Sequence, residues 1–293
     1  MSIAINTECL QCFLNRQLKT ARQLGSEEQA FAFFKELMAH CLTAPDGVGS
    51  AWLTPGAEAL LQKHYGTPED RFAREKKESN AFALKRMDRI DQLARQQDDP
   101  VLAGLKFAVL GNYLDFVALG NSVSFEKLEE MLLEALDMAL DMDCYGRLCA
   151  DLEKGGQLLY ITDNCGEIVF DRIFAQLMAE KYPKVKITFC VRGGPAHNDA
   201  TREDAEEVGI PFPVIDNGCT IGGMELSLVG QEAREALGRA DIIIAKGMGN
   251  TETMFGCGYN VYYAFLVKCQ RFMSQFGKPM LTPMLVGEKK GNR

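Results

Sequence analysis

The chain has 293 residues, 47% of them apolar, and carries 40 acidic against 32 basic side chains for a formal net charge of −8. That length can bury a core large enough to divide into two domains, since single cores stop growing near ~250–300 residues. The acidic balance argues against nucleic acid or anionic membranes as partners, which leaves small-molecule chemistry as the expectation.

No window of the sequence approaches the ~20 apolar residues of a membrane span, and Met1 to Leu14 lacks a basic segment followed by a long apolar one. Cytoplasmic residence is therefore expected. The ten cysteines are dispersed, and several, such as Cys149 and Cys190, sit in apolar runs where they read as small reduced hydrophobes.

From Cys9 to about Cys149 apolar residues recur at three and four, as in Phe31, Phe34, Leu37 and Met38 or Leu128, Met131, Leu132, Leu136 and Leu140. This spacing predicts an all-helical domain over residues 1–152. Breaks fall at Thr43-Ala44-Pro45-Asp46-Gly47, Tyr65-Gly66-Thr67-Pro68 and Gln96-Gln97-Asp98-Asp99-Pro100. Near its end Gly111, Asn112 and Asp115 interrupt an apolar helix. They are either an ordinary helix break or polar groups that reach substrate. Cys9-x-x-Cys12 reads as a redox pair, half of a zinc site, or two thiols one helical turn apart.

After Glu153-Lys154-Gly155-Gly156 short apolar runs alternate with amphipathic segments, which predicts an α/β domain with a mostly parallel sheet over residues 153–293. The expected strands are Leu158–Thr162, Lys186–Val191, Phe212–Ile215, Ile242–Lys246 and Met280–Val286. Phe170, Ile173, Phe174 and Leu177 mark one helical face, and Leu226, Val229, Ala233 and Leu237 another, with Gly238 as its stop.

Chemistry concentrates where these strands end, the usual place in open α/β sheets. Asp163-Asn164 follows the first strand and Asn198-Asp199 the second. Either pair alone is explained by helix capping. Together they offer hard oxygen ligands suited to Mg²⁺, Mn²⁺, Co²⁺ or Ni²⁺. Lys246 closes the fourth strand ahead of Gly247, Gly249 and Asn250, a composition able to hold phosphate oxygens. Glu252 stands where the dinucleotide fingerprint would need a third glycine, which argues against a nicotinamide cofactor.

Taken in order, Cys9-x-x-Cys12, Gly111-Asn112-x-x-Asp115, Asp163-Asn164-Cys165-Gly166-Glu167, Asn198-Asp199-Ala200-Thr201, Lys246-Gly247-x-Gly249-Asn250-Thr251-Glu252 and Lys268-Cys269 resemble the damage-control phosphatase family, formerly domain of unknown function 89, in its short prokaryotic branch. The resemblance implies a metal-dependent phosphatase of phosphorylated metabolites, built as a three-layer α/β/α Rossmann-like domain with a helical region packed on it. It implies that Asp163, Asn164 and Asp199 ligate the ion. Glu167, Lys246, Gly249, Asn250 and Lys268 would line the substrate pocket, joined by Asn112, Asp115 and Asn198. Thr251 departs from the family pattern, which often has an aromatic residue there.

The expected chemistry is attack of a water on phosphorus, with Asp163, Glu167 and Lys246 as the catalytic groups. A nucleophilic Asp163 is the rival, although the second aspartate that haloacid-dehalogenase enzymes place two residues on is Cys165 here. Two other classes stay open: an S-adenosylmethionine-dependent carboxyl methyltransferase, and a redox or metal-binding module built on Cys9 and Cys12.

Overall fold

The structure, a computed structural model, describes residues 3–115, 124–289 and 291. Helices come first: α1 (Thr7–Leu24), α2 (Glu27–Cys41), α3 (Thr54–Tyr65), α4 (Ala73–Leu84), α5 (Met87–Arg95), α6 (Pro100–Gly111), α7 (Phe125–Glu134) and α8 (Met142–Lys154). Several begin at side chains that accept an otherwise unpaired backbone N–H, among them Asn6, Ser26, Asp99 and Asp141. The breaks expected at Gly66 and at Asp99-Pro100 are real ends: Gly66 caps α3 in the left-handed conformation, and Pro100 opens α6.

Strands and helices then alternate: β1 (Gly156–Ile161), α9 (Glu167–Lys181), β2 (Val185–Val191), α10 (Arg202–Val208), β3 (Val214–Asp216), α11 (Gln231–Arg239), β4 (Ile242–Lys246), α12 (Gly247–Met254), β5 (Val261–Leu266), α13 (Gln270–Phe276) and β6 (Pro283–Glu288). They form one sheet in the order β3-β2-β1-β4-β5-β6, parallel except for β6. In the register at its centre Leu158 of β1 pairs with Ile187 on one side and Ile242 on the other. This is the α/β architecture with a mostly parallel sheet that the sequence predicts.

Strand alternation sorts the core into two layers. Leu158, Tyr160, Ile242, Ile244, Tyr262 and Ala264 pack under α4–α10, whereas Leu159, Ile161, Ile243, Ala245, Tyr263 and Phe265 pack against α11–α13. A smaller cluster of Phe13, Phe33, Leu37, Leu53 and Leu61 joins α1, α2 and α3.

Two elements differ from expectation. β5 is a strand the sequence reading passes over, because Val261–Leu266 is buried on both faces and shows no alternation to mark it. α11 begins only at Gln231, so Leu226 and Val229 precede it, and Gly238 lies inside the helix instead of stopping it.

Candidate metal and phosphate site

The sheet reverses direction between β1 and β4: the chain moves outward to β3, then returns to lie on the other side of β1. Such a switch point opens a crevice at the carboxyl ends of the strands. Asp163 and Asn164 leave β1 there, Arg192 to Asp199 leave β2, Gly247 to Gly249 leave β4, and Lys268 follows β5. A cavity of about 300 Å³ occupies the crevice and is lined also by Cys9, Cys12 and Arg16 of α1.

Helix capping does not account for the paired ligands. The N-cap of α9 is Gly166, with no side-chain cap bond, and that of α10 is Thr201, in a reciprocal box with Asp204. Gly166, expected to bring backbone close to a ligand, instead lies against Ser79 and Leu114 and donates its N–H to Asn80.

The two loops are tied together by main-chain bonds. Asn164 and Asp199 form an isolated antiparallel bridge, Cys165 N donates to Asn198 O at 2.8 Å, and Ala200 N donates to Asp163 O at 2.8 Å. Asp163 and Asp199 thus belong to one rigid unit and share a side-chain partner. Arg192 Nε donates to Asp199 Oδ2 at 2.6 Å, and its Nη2 lies 3.5 Å from Asp163 Oδ1. The second oxygen of Asp163 accepts from Asn164 Nδ2 at 2.7 Å and Asn112 Nδ2 at 3.0 Å.

Burial dominates the electrostatics of this unit. It pushes the Asp163 carboxyl well above its ordinary range, reinforced by the charges of Asp199 and Glu167. Burial also raises Asp199, to about 6, even with Arg192 in contact. Neither carboxylate has enough positive charge beside it.

Gly247 makes room for this arrangement. It has φ +77, and a Cβ there would stand 1.9 Å from Asp163 Oδ2.

The two lysines occupy different places. Lys246, expected at the phosphate, is fully buried behind the cavity and does not line it. Its ammonium donates to Ala108 O at 2.8 Å, Glu167 Oε1 at 2.7 Å and Asp171 Oδ1 at 2.8 Å, which uses all three of its N–H bonds. Burial alone would lower its pKa, but Asp171 and Glu167 more than offset this and hold it charged.

Lys268 does line the cavity, where it donates to Asn112 O at 2.8 Å and Asp115 Oδ2 at 2.7 Å. One of its three N–H bonds is uncommitted by these partners.

The remaining expected residues divide in the same way. Asp115, Asp163, Asn164, Asn198, Asp199 and Gly249 line the cavity, whereas Asn112, Glu167 and Asn250 are fully buried behind it. Glu167 accepts from Asn112 Nδ2 and Asn164 Nδ2, each at 2.9 Å, and Asn112 Oδ1 accepts from Leu266 N. Asn250 donates to Thr162 O and Lys246 O, pinning the β4 turn to the end of β1. These three side chains hold the wall in place.

Sequence reasoning passes over Arg192 and Asp171, and over Arg16 and Arg271, which line the cavity. A signal existed for Asp171, which stands one helical turn after Glu167 on a helix otherwise apolar there, a spacing that aims two acids at one point. Arg192 is the residue after an apolar strand, no more conspicuous than any solvated strand end.

Cys9, Cys12 and Cys269 line the cavity as free thiols. Among the described residues no three His, Cys, Asp or Glu side chains cluster as a metal site. The set at the strand ends consists of two carboxylates and one amide. No helix of the described residues is long and apolar enough to cross a membrane.

Known proteins share this arrangement of elements. An uncharacterised protein of Methanocaldococcus jannaschii is 31% identical, covering 94% of this chain and 93% of its own. A damage-control phosphatase of Pyrococcus horikoshii is 30% identical over 90% of this chain and 91% of its own, and one of Archaeoglobus fulgidus is 29% identical over 71% and 73%. The crystal structure of a DUF89 family protein from Pyrococcus horikoshii superposes with a TM-score of 0.83 at 26% identity, covering 98% of this chain and 99% of that one. Residues 5–281 match the damage-control phosphatase ARMT1-like domain, and the chain belongs to that family.

Proposed function

We propose that this chain is a metal-dependent phosphatase that hydrolyses phosphate monoesters of small metabolites such as sugar phosphates. The names of the Pyrococcus and Archaeoglobus relatives support the reaction class. The observation that carries the metal is charge. Among the described residues Asp163, Asp199, Glu167, Asp171 and Asp115 are five carboxylates joined by ion pairs to three cations, Arg192, Lys246 and Lys268. Fully ionised, the network carries two surplus negative charges, the complement of one divalent cation.

The donor set fits such an ion. Asn164 spends its amide nitrogen on Asp163 and Glu167, which turns Oδ1 away from them, and Asn198 Oδ1 is buried at the cavity with no partner among the described residues. Asp163, Asn164 and Asp199 would hold Mg²⁺, Mn²⁺, Co²⁺ or Ni²⁺, all of which accept oxygen ligands. When bound, the ion supplies Lewis acidity and charge neutralisation for phosphoryl transfer.

The protein's own groups supply the rest. Lys268, which lines the cavity and has one N–H uncommitted among the described residues, takes the phosphate-binding role expected of Lys246. Glu167 and Asn112 orient Asp163 and Asn164, and Lys246 holds Glu167 in place through their ion pair. Asp163 already accepts from two amides and approaches Arg192, so its oxygens are poorly placed to attack phosphorus, which favours water as the nucleophile. The cavity is at the small end of ligand pockets, about 300 Å³, and suits a monophosphate of sugar size.

The test is a screen of sugar phosphates, nucleotides and p-nitrophenyl phosphate with each of the four ions, on wild type and Asp163→Ala. Phosphate release is expected only with an added ion, and lost with chelator or in the variant. Chelator-insensitive turnover, or an undiminished variant, sinks the reading. Single-turnover hydrolysis in oxygen-18 water should label the first phosphate released and leave Asp163 unlabelled.

A further inference from the structure

Arg192 is the only cation in contact with both Asp163 and Asp199 among the described residues. It is 1% exposed, and although it follows a strand, its guanidinium turns inward beneath the crevice. The contacts are unequal: a 2.6 Å bond from Nε to Asp199 and a looser 3.5 Å approach of Nη2 to Asp163, while Nη1 is buried without a partner among the described residues. The guanidinium therefore stands between two carboxylates, bonded closely to one and loosely to the other.

The backbone explains how it is held. Arg192 N donates to Ala200 O, and Ala200 N donates to Asp163 O, so the residue is fixed to both acidic loops through one intervening strand-like contact. These bonds fix the backbone from which the guanidinium reaches the two acids.

We infer that Arg192 is a resident counter-ion of the metal ligands: a positioning residue that holds the two aspartates together whenever no ion is bound and, by its charge, holds down the affinity of the site for a divalent cation. The inference rests on the metal reading given above. Its physical basis is that the charge needed to keep two buried carboxylates together without an ion repels the ion when it arrives. A side chain acting only as scaffold has no such opposing effects. Its loss would weaken ion binding, as loss of an orienting partner of a metal ligand ordinarily does, by about 10–100-fold.

The test measures binding and stability without substrate. Arg192→Met, Arg192→Lys and wild type are titrated with Mn²⁺ by calorimetry, and their thermal unfolding is followed in chelator and in saturating Mn²⁺. The Met variant is expected to lose Tm in chelator, to recover most of it with Mn²⁺, and to bind Mn²⁺ about tenfold more tightly than wild type. The Lys variant keeps the charge, so its Mn²⁺ affinity stays near wild type despite some lost Tm. Equal loss of Tm with and without Mn²⁺, or weaker Mn²⁺ binding by the Met variant, overturns the inference. If the Met variant does not fold, the Lys variant decides: a change in its Mn²⁺ affinity beyond about tenfold counts against a charge effect. Absence of Mn²⁺ binding to wild type overturns the metal reading itself and this inference with it, an outcome separate from the others.

Discussion

Lys246 Nζ lies 2.7 Å from Glu167 Oε1, and neither side chain reaches solvent. Glu167 in turn holds Asn164 and Asn112, so the lysine acts on the site through the glutamate. Replacing Lys246 with Met leaves Glu167 and Asp171 buried together without a cation. The expected cost is about 3–5 kcal/mol of unfolding free energy, with activity falling in step. Urea unfolding checks it. A Lys246→Met protein of undiminished stability with only a raised KM would return this lysine to the phosphate.

Lys268 should behave differently. It faces the cavity, and its acidic partner Asp115 keeps some exposure whereas Glu167 and Asp171 beside Lys246 keep none, so the lost pairing costs less. Lys268→Met is expected to lower kcat/KM by about hundredfold, equivalent to ~2.7 kcal/mol of transition-state stabilisation, while costing less stability than Lys246→Met. Steady-state kinetics beside urea unfolding of both variants separates the two roles.

The contrast between these lysines marks the limit of what the sequence reveals. Strand ends bearing Asp163, Asn164 and Asp199 are legible, because acids after apolar runs stand out and open α/β sheets gather strand ends at one edge. Which way Lys246 points is not legible from its motif. It follows from strand alternation: Ile242 and Ile244 face the α6 and α9 layer, and Lys246 continues that parity under the helices. The face belonging to each layer is fixed only when the chain is folded. β5 escapes for a related reason, since a strand buried on both sides loses the alternating pattern that identifies strands. Arg192 is hidden more deeply, because its partners lie in two other loops.

Gly247 offers a steric test of the same wall. Gly247→Ala puts a β-carbon where Asp163 Oδ2 now stands and imposes a left-handed conformation on alanine, which alone costs ~1–2 kcal/mol. Loss of at least that much stability is expected, with weakened Mn²⁺ binding as Asp163 is displaced. Gly146→Ala is the control: it lies within α8 with no atom within 4 Å of the new methyl, and should stabilise the protein by ~0.5–1 kcal/mol. Equal behaviour of the two variants would show that Gly247 is not held by Asp163.

Acid stability should report on Asp204, away from the cavity. Its carboxylate accepts from Thr201 N at 2.9 Å and Thr201 Oγ1 at 2.7 Å, and lies 2.8 Å from Lys76 Nζ. Burial pushes this carboxyl up, but Lys76 and Thr201 outweigh it and hold the pKa below the ordinary 3.8. A carboxyl lowered by folding contributes stability that is present above its unfolded pKa and lost as pH falls through the folded one. Asp204→Asn is therefore expected to cost about 1–3 kcal/mol at pH 7, for the charged hydrogen bonds it removes. As the pH falls below ~4 the two proteins should converge, because the wild-type carboxyl is then being protonated as well. Urea titrations of both proteins at pH 7 and in the acid range measure the gap, and a gap that stays constant into acid means Lys76 and Thr201 do not hold Asp204 ionised.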